Sequence, residues 1–322
     1  MVRRLRMESL EDRRLLVVGA FDVPEIVPPG TVFDGVVALD YSNSSDGTTL
    51  SSGCSGSLLF TGRHILTAGH CVTDGGGNLN VSNVQVVFEM PDRNYAFDAG
   101  TSVAPIDVPP AWNGNVGDGA DLGIIELPAI APFPAARYDI YRSSSELNDL
   151  YVFAGYGLTG TGAQGQVPGS GDIKRLGHNE FGNILNAANG DILQGDLDDG
   201  TAGNNTLGDS LGLDNGEAAT TSGDSGAPAF LNGREIAGVN SFTSGGGNFF
   251  GQVDSLTRVS DFQAFIDDVL DDPADIVLDM NLQPAGTDGA QTNITLQLDP
   301  DNAGRTQLLV NSNEVWSAPS TQ

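Results

Sequence analysis

Three short segments of the chain carry residue types that could do acid–base and nucleophilic chemistry, and the first contains a histidine. The chain has three histidines, and His70 ends a largely apolar segment, residues 65–69, that runs into small residues. Cys71 follows directly and can reach back to Cys54, the only other cysteine. Such a disulfide would stabilise the fold by about 3 kcal/mol, because it restricts the unfolded chain. It would also hold the imidazole in place.

The other two segments supply a carboxylate and a hydroxyl. Asp121 opens the strongly apolar segment 122–127, where a carboxylate is either a strand-end turn residue or a buried partner for an imidazole. Ser225 lies in the segment SGDSGAP, in which glycines bracket the serine in a tight turn. The backbone N–H groups of Gly223 and Ser225 can then converge on one point, as an oxyanion requires.

The elements that must position these segments are predicted to be β strands. Short β-branched or alternating runs recur between Gly, Asn, Asp and Ser clusters over residues 17–260, which is typical of an all-β barrel or sandwich. The predicted strands are 31–40, 57–60, 84–88, 122–127, 150–154, 227–230 and 235–240. A helix is predicted over residues 260–270 from its apolar spacing, with Ser260 as N-cap and Pro273 beyond its end. Strand-like pieces at 276–282, 293–298 and 307–310 predict an accessory β-rich tail.

The composition makes several classes of partner poor candidates. The chain has 42 acidic and 14 basic residues, a net charge of −28, which would repel phosphate backbones and anionic lipid surfaces. Nucleic acid and anionic membranes are therefore poor partners. No apolar run approaches the roughly 18 residues of a membrane-spanning helix. The oligomeric state stays open.

The N-terminal segment has the order of an export signal, in which basic residues come before an apolar run. Basic residues precede the short apolar run 15–18, and they are Arg3, Arg4, Arg6, Arg13 and Arg14. The segment ESLEDRRLL resembles the LE-x-R-x-LL region at the start of many predicted surface or secreted proteins of certain environmental bacteria. We predict that residues 1–16 are a leader for export or a propeptide; the alternative is a disordered, charged leader.

Taken together, the segments resemble the chymotrypsin-like (trypsin-fold) serine peptidases, in which His, Asp and Ser follow each other in this order. The resemblance covers residues 31–270, through SGCSGSLL, ILTAGHC, DLGIIEL, GDSGAP, GVNSF and a closing helix after LTRVS. The segment TGRHILTAGHCV is similar to a bacterial subgroup of secreted trypsin-like proteins. The resemblance implies two packed six-stranded antiparallel β-barrels with a C-terminal helix. It divides the chain into the leader, a peptidase domain over 17–271 and the tail over 272–322.

The resemblance also implies roles for the three segments. His70 would be the general base, Asp121 its orienting carboxylate and Ser225 the nucleophile, with the oxyanion hole formed by the N–H groups of Gly223 and Ser225. The implied function is a secreted or cell-surface bacterial serine endopeptidase that acts on proteins or peptides and requires no cofactor for its chemistry. The alternative is a catalytically silent binding or surface protein on the same fold.

Substrate preference is implied by five further positions. Ala219 stands where an aspartate would select Arg or Lys. Ser241, Phe242 and Thr243 correspond to the strand that pairs with the substrate backbone, and Thr243 replaces a glycine, which should narrow the mouth of the pocket. Asp254 is either near the pocket base, where it would attract a basic side chain, or an exposed turn carboxylate. We expect a small or medium apolar P1 residue.

The start of the implied peptidase domain raises the question of activation. The segment VVGA, residues 17–20, resembles the IVGG start of mature members. Cleavage before Val17 would release an amine that pairs with Asp224. Otherwise Asp224 would be satisfied by local donors or an arginine.

The long loop before the serine is rich in Asp, Asn and Gly. Its acidic residues supply the hard oxygen ligands that calcium prefers, although their spacing is not that of an EF-hand. The candidate ligands of a structural calcium ion are Asp191, Asp196, Asp198 and Asp199. The alternative is a solvated acidic loop.

Overall fold

Short β strands build most of this protein, as expected where β-branched runs alternate with turn-forming residues. The computed structural model describes residues 18–20, 25–40, 52–80, 84–98, 105–213, 217–245 and 249–270, and three later strands. The first strands are β1 (Val18–Gly19), β2 (Glu25–Ile26), β3 (Val36–Asp40), β4 (Ser52–Leu58), β5 (His64–Thr67), β6 (Gln85–Glu89), β7 (Asn94–Asp98), β8 (Ile106–Asp107), β9 (Gly123–Glu126), β10 (Asp139–Ile140), β11 (Leu150–Gly155) and β12 (Thr159–Thr161). They are followed by β13 (Gly165–Val167), β14 (Arg175–Glu180), β15 (Asn183–Leu185), β16 (Ile192–Asp196), β17 (Ala218–Ala219), β18 (Pro228–Leu231), β19 (Glu235–Gly245) and β20 (Gln252–Arg258).

The first half of the molecule is a seven-stranded antiparallel sheet in the order β7-β6-β3-β4-β5-β9-β8. Within it, β5 pairs with β9, and the last pair of that ladder is Thr67 with Gly123. The chain that leaves β5 and the chain that enters β9 therefore lie side by side. This register brings His70 next to Asp121.

The second half is a larger sheet in the order β15-β16-β20-β19-β18-β11-β14-β2, with β10 paired to β19. The strand β20 lies between β16 and β19, and all seven of its residues are buried. A small sheet in the order β13-β12-β1-β17 borders this half. It places β17 immediately before the segment that contains Ser225.

One continuous apolar cluster joins the two halves. It includes buried side chains of the first sheet and of the second, among them Leu39, Leu58, Ile65, Ile124, Tyr156, Phe230 and Val239. A 3-10 turn, Val259–Phe262, leads into the helix α1 (Gln263–Leu270), which adds Ile266 and Leu270 to the same cluster. A second cluster around Tyr151 and Leu256 fills the second half.

The expected fold class is confirmed: the protein is all-β, with two barrel-like halves, and its described residues include one α-helix, which follows β20. The N-cap prediction was wrong, because Ser260 lies inside the 3-10 turn and its hydroxyl donates to Glu146 Oε1 at 3.0 Å. The leader, Pro273 and the predicted strand 276–282 lie outside the described residues.

The accessory tail contributes three described strands. They are β21 (Ile294–Leu298), β22 (Arg305–Val310) and β23 (Asn313–Pro319), and they pair with each other as an antiparallel sheet. The last of them was not among the predicted pieces. No helix in the described ranges is long and apolar enough to span a membrane.

Candidate active site

The turn that carries His70 is covalently tied to the neighbouring strand. The chain leaves β5 and forms one 3-10 turn, Gly69–Cys71. Cys71 is disulfide-bonded to Cys54 of β4, with 6.2 Å between the Cα atoms, so the predicted disulfide is confirmed. Because the bond fixes the residue next to His70, it limits where the half-buried imidazole can move.

The same turn packs tightly on its other side. A Cβ atom at Gly69 would lie 3.0 Å from Leu122 O and 3.1 Å from the indole of Trp112. Thr73 Oγ1 donates to Gly69 O at 2.8 Å, and Trp112 Nε1 donates to Thr73 Oγ1 at 2.9 Å. Glycine at this position therefore lets the turn pack closely against the segment that contains Asp121, because a side chain would press on the backbone of Leu122.

Asp121 accepts two hydrogen bonds from His70. It is fully buried, its Oδ1 accepts the backbone N–H of His70 at 2.8 Å, and its Oδ2 lies 2.7 Å from His70 Nδ1. A carboxylate can only accept, so Nδ1 carries the ring proton and Nε2 of the neutral ring has its lone pair free. Of the two environments expected for Asp121, the structure has the buried one beside an imidazole.

The second half of the molecule also reaches Asp121. Ser241 Oγ donates to Asp121 Oδ2, and Thr257 Oγ1 donates to the backbone oxygen of Asp121 at 2.8 Å. Ser241 can do so because β19 has a bulge between Asn240 and Phe242, which leaves Ser241 outside the regular pairing with β20. The sequence assigned Ser241 to substrate binding; its bond to Asp121 was not foreseen.

Ser225 lies in a turn that requires glycine on both sides. Gly223 and Gly226 have positive φ angles of 100° and 82°, a conformation in which glycine carries no steric penalty. In the described part of the chain, the backbone N–H groups of Gly223 and Ser225 donate no hydrogen bond. They are therefore available to an external acceptor.

This turn packs directly against the segment that precedes His70. The backbone of Ser55, next to Cys54, donates to Ser225 O at 2.7 Å. A Cβ atom at Gly226 would lie 2.2 Å from both Ser55 O and Thr67 Oγ1. Ser55 Oγ donates to Gly223 O at 2.9 Å. The structure thus brings the serine turn, the disulfide and the histidine turn together, and Ser55 is a positioning residue that sequence reasoning missed.

Asp224 points into the interior rather than into the site. Its carboxylate accepts from Gly157 N at 2.8 Å, from Thr221 N at 2.9 Å and from Thr221 Oγ1 at 3.1 Å. Burial raises the pKa of Asp224 to about 6, against the lowering effects of these hydrogen bonds and of the Arg175 charge. Local donors thus satisfy this carboxylate, with an arginine acting at longer range.

The first described residues lie beside the segment that precedes Ser225. Val18 pairs with Gly160 of β12 and with Ala219 of β17, and Ala20 N donates to Glu217 O at 2.9 Å. Val17 lies outside the described residues. The segment that resembles a mature N-terminus therefore enters the small sheet between β12 and β17.

The five specificity positions occupy neighbouring strands. Ala219 and Ser241 are buried, Phe242 is half-buried and Thr243 is exposed. Thr243 faces Asp254 across the pairing of β19 with β20. The structure thus groups the residues that the resemblance assigns to the pocket.

Asp254 is not an exposed turn carboxylate. It is fully buried in β20, and it accepts hydrogen bonds from Thr220 N at 2.6 Å and from Gln252 Nε2 at 2.7 Å. Burial raises its pKa to about 7, in part against those hydrogen bonds. Both carboxylate oxygens are thus occupied by neutral donors.

The four acidic residues proposed for calcium do not share one site. Asp191 Oδ2 lies 3.1 Å from Arg258 Nη1, and its Oδ1 accepts from Asn186. Asp199 accepts from Thr201 and Asn204 at an exposed turn. The remaining two candidates, Asp196 and Asp198, lie together with a third carboxylate, Asp209.

Comparison with known proteins agrees with this architecture. A structure described as the atomic resolution structure of HBP has a TM-score of 0.55 at 16% identity, over 77% of this chain and 96% of that chain. A structure of neuropsin, a serine protease expressed in the limbic system of mouse brain, has a TM-score of 0.56 at 14% identity, over 78% of this chain and 100% of that chain. At such identities the likeness establishes the fold alone. No curated protein sequence matches this chain.

A family comparison extends the likeness from fold to sequence. The family model described as Trypsin matches residues 31–266. This range contains the strands β3 to β20 and the segments of His70, Asp121 and Ser225. Because the match spans most of the sequence, the chain belongs to the trypsin family.

Proposed function

We propose that this protein is an exported serine endopeptidase in which His70, Asp121 and Ser225 act as the catalytic triad. The observation that carries the proposal is the pair of hydrogen bonds from His70 to the buried carboxylate of Asp121. They fix both the orientation and the tautomer of the imidazole, so that Nε2 is the basic atom. The packing of the Ser225 turn against the strand that leads to His70 supports the same assignment.

The proposed chemistry assigns one role to each of the three residues. His70 Nε2 takes the proton from Ser225 Oγ as that oxygen attacks the carbonyl carbon of the substrate, because a neutral serine is a weak nucleophile. The imidazolium then gives the proton to the leaving amine, the C–N bond breaks and an acyl-enzyme ester remains. Water hydrolyses the ester by the same proton transfers in reverse. The negative charge of Asp121 stabilises the imidazolium in both steps.

The oxyanion of each tetrahedral intermediate would be bound by the N–H groups of Gly223 and Ser225. These donors are preorganised, because the positive φ angles of Gly223 and Gly226 and the buried carboxylate of Asp224 hold the turn. Removing a donor of this kind costs about 3 kcal/mol in other serine peptidases. The Cys54–Cys71 disulfide supports an oxidising compartment, and hence export.

A fluorophosphonate probe tests the function directly. We expect covalent labelling of the full-length protein at Ser225, located by peptide mass spectrometry, because the probe reacts only with an activated serine. A His70→Ala variant should lose labelling while it keeps the melting temperature of the wild type. Absence of labelling in properly exported, folded protein would instead favour the silent binding protein.

We propose that activity does not require cleavage before Val17. The carboxylate that the resemblance would pair with a released amine, Asp224, already accepts hydrogen bonds from Gly157 N, Thr221 N and Thr221 Oγ1. The peptide masses of the labelled protein also give its N-terminus. A labelled protein with an N-terminus other than Val17 supports this, and labelling found only on protein that starts at Val17 contradicts it.

For the substrate, we propose a small or medium apolar P1 residue. Ala219 brings no charge to the pocket, and the buried carboxyl of Asp254 already binds Thr220 and Gln252. A basic P1 side chain would find no free carboxylate at either position. Thr243 would narrow the mouth of the pocket, where the family has glycine.

A Thr243→Gly variant tests the pocket. We expect kcat/KM for peptides with Phe or Tyr at P1 to rise about tenfold, because removal of a side chain of this size is worth on the order of 1 to 3 kcal/mol in a fitted pocket. The value for Ala or Val at P1 should change little. A peptide library measures both.

The matched control is Ser244→Gly on the same strand. Its side chain points to the opposite face of β19, because successive residues of a strand alternate, and it pairs with Val253 instead of Asp254. Its profile should equal that of the wild type. An unchanged profile of Thr243→Gly would place the pocket elsewhere.

A further inference from the structure

Three carboxylates meet beneath the long acidic loop that precedes β17. Asp196 ends β16, Asp198 follows two residues later, and Asp209 comes from the far side of the loop. One carboxylate oxygen of each lies within 4.8 Å of the others. Asp196 and Asp198 are each only 3% exposed. Two of the three carboxylates are therefore buried and Asp209 is partly buried, unlike Asp199, which lies at an exposed turn.

The hydrogen bonds of the cluster leave oxygens unused. Asp196 Oδ2 accepts the backbone N–H groups of Thr206 at 2.5 Å and Leu207 at 2.9 Å. In contrast, Asp198 Oδ1 and Asp209 Oδ1 are buried atoms without a hydrogen-bond partner. A buried carboxylate oxygen without a partner is costly. Two such oxygens beside a third carboxylate indicate a missing positive partner.

Glu217 lies beside the three aspartates, on the side of β17, but it differs from Asp198 and Asp209 in that both of its oxygens have donors. Its Oε1 accepts Asp198 N at 2.7 Å and its Oε2 accepts Leu213 N at 2.8 Å. Burial raises its pKa to about 8, despite these two hydrogen bonds. Both of its oxygens thus have donors, and it serves to hold the loop backbone around the three aspartates.

We propose that Asp196, Asp198 and Asp209 bind one calcium ion. All three offer hard oxygen ligands, and calcium prefers such ligands at about 2.3 to 2.6 Å. Two oxygens on opposite sides of a calcium ion are then about 5 Å apart, so three carboxylate oxygens that lie within 4.8 Å of one another can reach one ion.

The position of the site gives the ion a structural role. It would connect the end of β16 to the loop around Asp209, and Glu217 links that loop to β17, which contains Ala219. The loop is also tied to the residue that precedes β20, because Thr206 Oγ1 donates to Gly251 O at 2.8 Å. Calcium would therefore stabilise the region that borders the serine turn. The site itself depends on none of the catalytic residues.

Calcium titration of the full chain, first stripped with EGTA, tests the proposal at pH 8. We expect isothermal titration calorimetry to show one bound ion per chain. At a hundredfold excess over Kd, the melting temperature should rise by roughly 5 to 10 °C. Asp198→Asn and Asp209→Asn should each weaken binding at least tenfold and lose this rise.

The controls are Asp199→Asn and Asp191→Asn, which change the other two acidic residues that the sequence suggested. Both should bind calcium like the wild type. In EGTA, Asp198→Asn should melt at or above the wild-type temperature, because the substitution removes repulsion, and this shows that the variant folds. The proposal is overturned if the wild type binds no calcium, or if Asp198→Asn and Asp209→Asn bind it with the wild-type Kd.

Discussion

Replacing Ser225 by alanine is expected to lower kcat for a peptide or ester substrate by roughly 10⁴- to 10⁶-fold, the range found when a catalytic serine is removed. Without Oγ no acyl-enzyme can form. The remaining rate would come from water attacking a substrate held by the N–H groups of Gly223 and the residue at 225. The backbone of the turn should survive, because it is held through Ser225 O, Asp224 and Asn240 O rather than through the serine hydroxyl.

The measurement is steady-state hydrolysis by the wild type and by Ser225→Ala, with melting temperatures to show that both are folded. Ser222→Ala is the matched control, because Ser222 is an exposed serine in the same turn. It should keep the wild-type rate. A variant Ser225→Ala that retains the wild-type kcat would show that another residue is the nucleophile.

The segments of the proposed site could be predicted from the sequence because each is a local pattern. A histidine before a cysteine, an aspartate before an apolar strand and a serine between glycines are all short and contiguous. The contacts among them depend on strand register, which the sequence does not show. The bond from Ser241 to Asp121, for example, lies at a bulge of β19 that the sequence does not indicate.

The acidic loop illustrates a different limit. Spacing along the chain grouped Asp191 and Asp199 with Asp196 and Asp198, but contact within a folded loop does not follow spacing. Asp191 forms an ion pair with Arg258, whereas a carboxylate oxygen of Asp209 lies within 4.8 Å of one of Asp196. Because this long loop matches no known ligand pattern, its sequence does not indicate that Asp209 lies beside Asp196.

Asp254 shows the same limit in a strand. The sequence left open whether Asp254 lies near the pocket base or in an exposed turn, whereas β20 lies between two strands and is buried along its whole length. The environment of Asp254 is set by the position of β20 in the sheet. That position is a property of the fold and not of the neighbouring residues.

The second large effect is expected from Asp121→Asn, which should lower kcat by about 10⁴-fold while the protein stays folded. Asparagine has the same shape as aspartate, so it fits the buried site. Its amide group donates, however, where the carboxylate only accepted. With the amide facing His70 Nδ1, the ring proton moves to Nε2, and Nε2 can no longer take a proton from Ser225.

A milder substitution separates this tautomer effect from a loss of packing. Ser241→Ala removes the hydroxyl that donates to Asp121 Oδ2 but leaves both hydrogen bonds from His70. A hydrogen bond to a charged group is worth about 1.5 to 3 kcal/mol, so kcat should fall by roughly 10- to 100-fold. Both variants are compared with the wild type in steady-state hydrolysis and thermal melting. If Asp121→Asn keeps its activity within tenfold, or loses no more than Ser241→Ala, then Asp121 does not set the tautomer of His70, and the carboxylate is only a structural anchor between the two halves.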